Sequence, residues 1–179
     1  MNKEAKIGKS LIAYYSRKGN NYVNGKIKNL VVGNTAIIAE KIAQLTGGKL
    51  FEIDTVNPYP DDYIKATEVS RTELRKKFRP ELTASVDDMN IYEFIYLGYP
   101  NWWGTMPMAV FTFLESYDFT GKTIVPFCTH EGSGLGSSER DIKRLCLGAN
   151  VLTGIAIRGS SVTRADEDLI TWLKSHNLI

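Results

Sequence analysis

Ser10-Leu11-Ile12-Ala13-Tyr14-Tyr15-Ser16-Arg17-Lys18-Gly19-Asn20 opens, and Gly33-Asn34-Thr35-Ala36-Ile37-Ile38-Ala39 closes, the stretch from which the fold is read. Its first part is a short apolar run, the length of a buried strand. Its last part begins a periodic segment with Ile37, Ile38, Ile42 and Leu45, the pattern of a helix lying on a sheet. Hydroxyls, amides and glycines separate the two. A strand that feeds such a loop and then a helix makes an anion site. The first-turn N–H groups lack partners there, and the helix dipole favours negative charge. Ser16, Asn34 and Thr35 would add side-chain donors, so the stretch predicts a phosphate cradle. The same Gly-Asn-Thr would also serve as an ordinary helix N-cap. It is neither a P-loop nor the G-x-G-x-x-G dinucleotide fingerprint.

The chain of 179 residues is long enough for one domain with its own core. With 22 basic and 20 acidic residues, a formal +2, it offers no bulk electrostatic case for nucleic acid. The run Arg75-Lys76-Lys77-Phe78-Arg79 reads as a helix C-terminus, where cations suit the dipole. Cys128 and Cys146 form no C-x-x-C and have no His at metal spacing, which predicts reduced, buried thiols and no metal. Met1-Asn2-Lys3-Glu4-Ala5-Lys6 is charged and is expected to lead straight into the first strand, with no signal-peptide apolar stretch. No segment is long enough to span a bilayer, so the expectation is a cytoplasmic protein without membrane contact, monomeric or homodimeric.

Between the two halves of the opening stretch, Asn24-Gly25 is flanked by alternating apolar and polar residues, the signal of a type I′ hairpin. The segment 20–28 therefore reads as a small β-hairpin inserted in the loop, with Tyr22 and Ile27 leaning over whatever is bound; a floppy insertion is the alternative. Thr46-Gly47-Gly48 stops the first helix. Strands are expected at 50–56, an edge, at 92–99, central, at 123–130 and at 151–157. Helices are expected from Asp61-Asp62 to about Phe78, from Pro107 with Val110, Phe111 and Leu114 inward, over 140–147 and over 166–176. Pro126 is tolerable near the start of its strand.

Strand and helix thus alternate five times, which predicts an α/β architecture: a doubly wound three-layer sandwich on a five-stranded parallel sheet, order 2-1-3-4-5. Ligands bind at the switch point outside the carboxyl ends of the strands. The three unusual loops, 16–35, 100–105 and 129–137, are the ones at those ends. The first suits a terminal phosphate. Tyr99, Trp102 and Trp103 offer flat surfaces for a planar ring, although an exposed indole pair would also suit an interface patch. The third loop, rich in glycine, lets backbone amides approach a ligand edge, or is merely flexible. A phosphate at one end and a flat heteroaromatic at the other describe flavin mononucleotide, FMN.

The strings Tyr-Pro-Asn-Trp-Trp-Gly-Thr-Met-Pro (99–107) and Thr-His-Glu-Gly-Ser-Gly-Leu-Gly (129–136) resemble those of the bacterial flavodoxin group. Ser16-Arg17 matches the start of that family's Thr/Ser-x-Thr-Gly-x-Thr phosphate loop and Gly33-Asn34-Thr35 its end, the hairpin standing between. The resemblance implies that Ser16, Arg17, Asn34, Thr35 and Ala36 hold the phosphate. It places Pro100, Asn101, Trp102, Trp103 and Gly104 beside the isoalloxazine, and Thr129, His130, Glu131, Gly132, Ser133 and Gly134 along its other edge. A protonated His130 would stabilise the reduced anion; a surface His beside a capping Glu131 is the alternative.

Two functions compete on this reading. The first is electron transfer between protein partners. The second is an NAD(P)H-dependent FMN reductase acting on a small quinone-like or nitro-compound acceptor. A formal +2 chain does not advertise the acidic docking surface of many carriers, yet no additional nicotinamide motif is present. A binding module that has lost flavin is a third alternative.

Overall fold

Strand β1 (Ser10–Tyr14) is buried along its whole length, and its side chains divide between two cores. Leu11 and Ala13 join one, Ile12 and Tyr14 the other. That alternation is what a strand covered on both faces requires. In chain order there follow β2 (Gly19–Val23), β3 (Lys26–Leu30), α1 (Asn34–Thr46), β4 (Lys49–Glu52), α2 (Tyr63–Lys76), β5 (Phe94–Pro100), α3 (Met108–Glu115), β6 (Thr123–His130), α4 (Ser138–Leu145), β7 (Asn150–Val151), β8 (Ile155–Arg158) and α5 (Asp166–Ser175). The computed structural model describes residues 9–179, so the expected lead-in from 1–6 to the first strand lies outside the described residues.

The main sheet runs β4-β1-β5-β6-β7, all parallel, with β8 also on β6. This is the expected doubly wound order, with the hairpin β2–β3 as a separate sheet. Ile38, Ala39 and Ile42 of α1 pack with Leu169 and Leu173 of α5 on one face. Val110 and Phe113 of α3 and Ile142 of α4 pack on the other.

The last strand departs from expectation, and Pro126 is the reason. It lies in the middle of β6 rather than near its start. Thr123 donates toward the β5 side (to Glu93 O, 2.9 Å), whereas Ile124 accepts from Leu152 on the far side at 2.9 Å. By the alternation of a strand, Pro126 therefore turns its donorless nitrogen toward the last strand. Pairing breaks there. The expected 151–157 strand becomes β7 and β8, and the Gly154 N–H at the gap donates instead to Glu139 Oε1 at 2.6 Å. The expected 50–56 edge strand likewise ends at Glu52, with only Thr55 bridging onward, to Leu82.

Helix α2 starts one residue after Asp62, whose carboxylate caps Lys65 N–H at 2.8 Å. Pro107, expected as the first helical residue, stands instead at the N-cap of α3, which begins at Met108. The hairpin is ordered as expected: Asn24 (φ 50°) and Gly25 (φ 80°) both lie in the left-handed region, the signature of a type I′ turn. Among the described residues no helix is long and apolar enough to cross a membrane, and no cluster of three or more His, Cys, Asp or Glu is placed to hold a metal.

Candidate functional site

The carboxyl ends of β1, β5 and β6 stand side by side, so their three loops surround one cavity of about 360 Å³. Of the expected site residues, Arg17, Asn34, Thr35, Pro100, Asn101, Trp102, Thr129, His130, Glu131 and Ser133 line it. Ser16 and Ala36 instead line a second depression, which shares Arg17 with the first. Trp103 lines a smaller cavity of about 190 Å³ that shares Arg17, Asn21, Tyr63, Asn101 and Trp102 with the first. Gly104, Gly132 and Gly134 line none of the three.

At the α1 end, Gly33 is the N-cap, ahead of the expected Asn34 or Thr35. A Cβ on Gly33 would meet Ser16 Oγ at 2.3 Å and Arg17 O at 2.6 Å, so only glycine allows the β1 loop to close on the helix. Ser16 Oγ accepts from Ala36 N–H at 3.0 Å and so caps the helix from twenty residues upstream. The N–H groups of Asn34 and Thr35, in the first turn, have no i−4 carbonyl to bond. The Thr35 hydroxyl, expected as a ligand donor, instead meets the Thr129 hydroxyl at 2.7 Å in a buried pair. Arg17 donates through Nη2 to Pro60 O (2.9 Å) and Asp61 O (3.1 Å), while its buried Nε has no partner among the described residues. Arg17 and the first turn of α1 line the same cavity, a set of donors suited to an anion.

At the other end Trp102 is held edge-on by Tyr15 (centroids 5.3 Å) and Tyr59 (5.0 Å). Trp103 turns away from its neighbour with φ 56°, a left-handed conformation that costs a bulky residue strain. Its Nε1 donates to Ser70 Oγ at 3.0 Å, and the Arg71 guanidinium lies 5.3 Å from its ring. The indole pair is thus one wall of the cleft and one platform on α2. Asn101, rather than presenting its amide to a ligand, braces two loops: Nδ2 donates to Gly134 O (2.7 Å) and Oδ1 accepts from Gly104 N–H (3.0 Å). The Gly104 carbonyl accepts from Ser137 N–H at 2.8 Å, a contact that a Cβ on Gly136 would obstruct. Cys128 is buried beneath this corner, and burial pushes its thiol up to about 12.

In the third loop His130 Nδ1 accepts from Gly132 N–H at 2.9 Å, which requires the neutral ring. Partial burial and the Arg158 charge also lower its pKa, Glu131 opposing them. Of the two alternatives for His130, this geometry matches the neutral ring satisfied by the chain itself rather than the protonated one. Glu131 does not cap a helix; its Oε2 accepts from Asn24 N–H at the hairpin tip, 3.1 Å away. Tyr22 of the hairpin lines the cavity and stacks on Tyr63 of α2 (centroids 6.3 Å, 25° between planes), while Ile27 is exposed and outside it. Asn21 and Tyr63 are wall residues that sequence reasoning missed. Asp62 marks the helix start, but nothing local says that the first helical side chain points at the cleft.

A family model described as Flavodoxin matches residues 9–176. A crystal structure from Bacteroides eggerthii, assigned as a flavoprotein, is similar at 30% identity over 91% of this chain and 98% of its own, with a TM-score of 0.69. Another from Bacteroides uniformis shares 28% identity over 90% and 97%, also with a TM-score of 0.69. A flavoprotein from Lactobacillus acidophilus, crystallised in complex with FMN, has the same fold at 24% identity over 88% and 97%, TM-score 0.63. No curated protein matches the chain.

Proposed function

Because the chain belongs to the flavodoxin family, we propose that it binds FMN between its three carboxyl-end loops and acts in electron transfer between partner proteins. The observation that carries this reading is the polarity of the cavity of about 360 Å³. Its lining combines Arg17 and the first-turn residues Asn34 and Thr35 of α1, suited to a phosphate, with the rings of Trp102 and Tyr63, suited to a flat heteroaromatic. Its size falls within the ~300–1,000 Å³ typical of cofactor sites. The Lactobacillus structure, crystallised in complex with FMN, supports the same cofactor.

Bound FMN supplies the redox chemistry; the chain binds, orients and shields it. Arg17 with the N–H groups of Asn34 and Thr35 would balance the phosphate charge. Asn101 keeps the second and third loops at a constant spacing. Trp102, itself wedged by Tyr15 and Tyr59, excludes water from one wall. A neutral His130 brings no positive charge to the ring, so the apolar wall penalises added negative charge there. Buried, unbridged Cys128 and Cys146 suit a reducing compartment such as the cytoplasm.

One observation favours the reductase as a second reading. The cavity of about 190 Å³ walled by Tyr63, Trp102 and Trp103 adjoins the cleft and has room for a small planar acceptor. The deciding experiment is an anaerobic visible spectrum of the FMN-loaded protein before and after NADPH. Bleaching by NADPH favours the reductase. A flavin band untouched by NADPH yet removed by dithionite supports the carrier. No retained FMN overturns both.

A further inference from the structure

Glu131 stands where four separate segments meet. Its Oε2 accepts from Asn24 N–H at the hairpin tip. Its Oε1 is buried and has no partner among the described residues. A Cβ added to Gly159 would come within 2.4 Å of both Glu131 Oε1 and Asn34 Nδ2, so this glycine leaves the room that the two side chains fill. The carboxylate therefore lies between the α1 N-terminus, the turn after β8 and the hairpin, on the wall of the cleft.

A buried carboxylate oxygen without a donor is costly unless a ligand supplies one. A phosphate dianion cannot, because it brings acceptors and like charge. Of the parts of FMN that would lie near the α1 N-terminus, only the hydroxyls of the ribityl chain donate. The hairpin is also fastened to α2 by the Tyr22–Tyr63 stack, so with the Asn24–Glu131 bond it straps two elements that line the cavity, α2 and the third loop.

We propose that Glu131 is the residue that recognises the polyol chain of the cofactor, accepting a ribityl hydroxyl through Oε1 while Oε2 keeps the hairpin strapped over it. This rests on the FMN reading above. One carboxylate then joins cofactor recognition to closure: losing it removes the hydroxyl acceptor and the hairpin anchor together.

The test pairs Glu131→Ala with two ligands, FMN and a phosphopentyl flavin whose chain keeps the phosphate but carries no hydroxyls. Affinities are read from quenching of flavin fluorescence. A hydrogen bond to a charged group predicts that Glu131→Ala weakens FMN by about tenfold or more. The hydroxyl-free analogue should change by less than about twofold, which also certifies that the variant is folded. Amide exchange at Asn24 in the ligand-free protein should quicken in the variant. Equal losses for both ligands, or no loss for FMN, overturn the recognition role. Unchanged Asn24 exchange overturns the strap. An unsubstituted chain that binds neither ligand overturns the FMN reading, and this proposal with it.

Discussion

Thr35 and Thr129 lie ninety-four residues apart in the chain, yet their hydroxyls meet at 2.7 Å with both side chains buried, tying the α1 N-terminus to the end of β6. The bond joins two walls of the candidate cleft, the α1 N-terminus and the carboxyl end of β6. Replacing one threonine by valine leaves the other hydroxyl buried and unpaired, a cost of about 1–3 kcal/mol. Urea denaturation of Thr35→Val and Thr129→Val should show losses in that range. The double variant should lose clearly less than the sum, since paired apolar replacement removes the orphan. Strict additivity would mean that the two hydroxyls do not depend on one another.

Gly33 leaves no room for a methyl group, with Ser16 Oγ at 2.3 Å and Arg17 O at 2.6 Å from the position a Cβ would take. The second of these is backbone and cannot rotate away. Gly33→Ala should therefore pry the β1 loop from α1, at a cost of roughly 1–3 kcal/mol by overpacking. FMN uptake should fall more than stability does, because on the proposed reading Arg17 and the first turn of α1, which this contact holds together, bind the phosphate. A fully FMN-competent Gly33→Ala protein would place the phosphate elsewhere.

Burial raises both thiols, Cys128 to about 12 and Cys146 to about 12. The thiolate is the reactive form. In native protein at pH 8, neither cysteine should be labelled by a thiol reagent over the time in which urea-unfolded chain reacts completely. Rapid native labelling at either position would show that its burial is not maintained in solution.

The His130 imidazole is held below its ordinary 6.5, first by partial burial and then by Arg158, with Glu131 in opposition. A base whose pKa is lowered by folding is protonated first in the unfolded chain. Its contribution is therefore present above 6.5 and is lost as pH falls through the lower folded value. His130→Asn keeps an acceptor for Gly132 N–H but cannot titrate. Its stability should fall less steeply than that of the unsubstituted protein between about pH 7 and pH 5. The ring's own NMR titration should give a midpoint under 6.5. A midpoint above it would reverse the sign.

Sequence alone determined the layers and their order. Leu11 and Ala13 against Ile12 and Tyr14 alternate because a strand's side chains do, whatever surrounds them. Asn24-Gly25 set the hairpin because its left-handed backbone is a local preference. The same local logic brought three loops to one edge of the sheet and named most of the cleft wall. Tertiary structure decided where those side chains spend their polar atoms. Asn101 braces Gly134, Thr35 pairs with Thr129, Trp103 turns onto Ser70, and Glu131 holds the hairpin, each through a partner thirty-three or more residues away. The break in the last strand belongs to the same class, since the missing donor of Pro126 matters only to the strand that lies against it. Periodicity and turn chemistry are written in neighbouring residues. Hydrogen-bond partners depend on register and packing between segments, which no single segment contains.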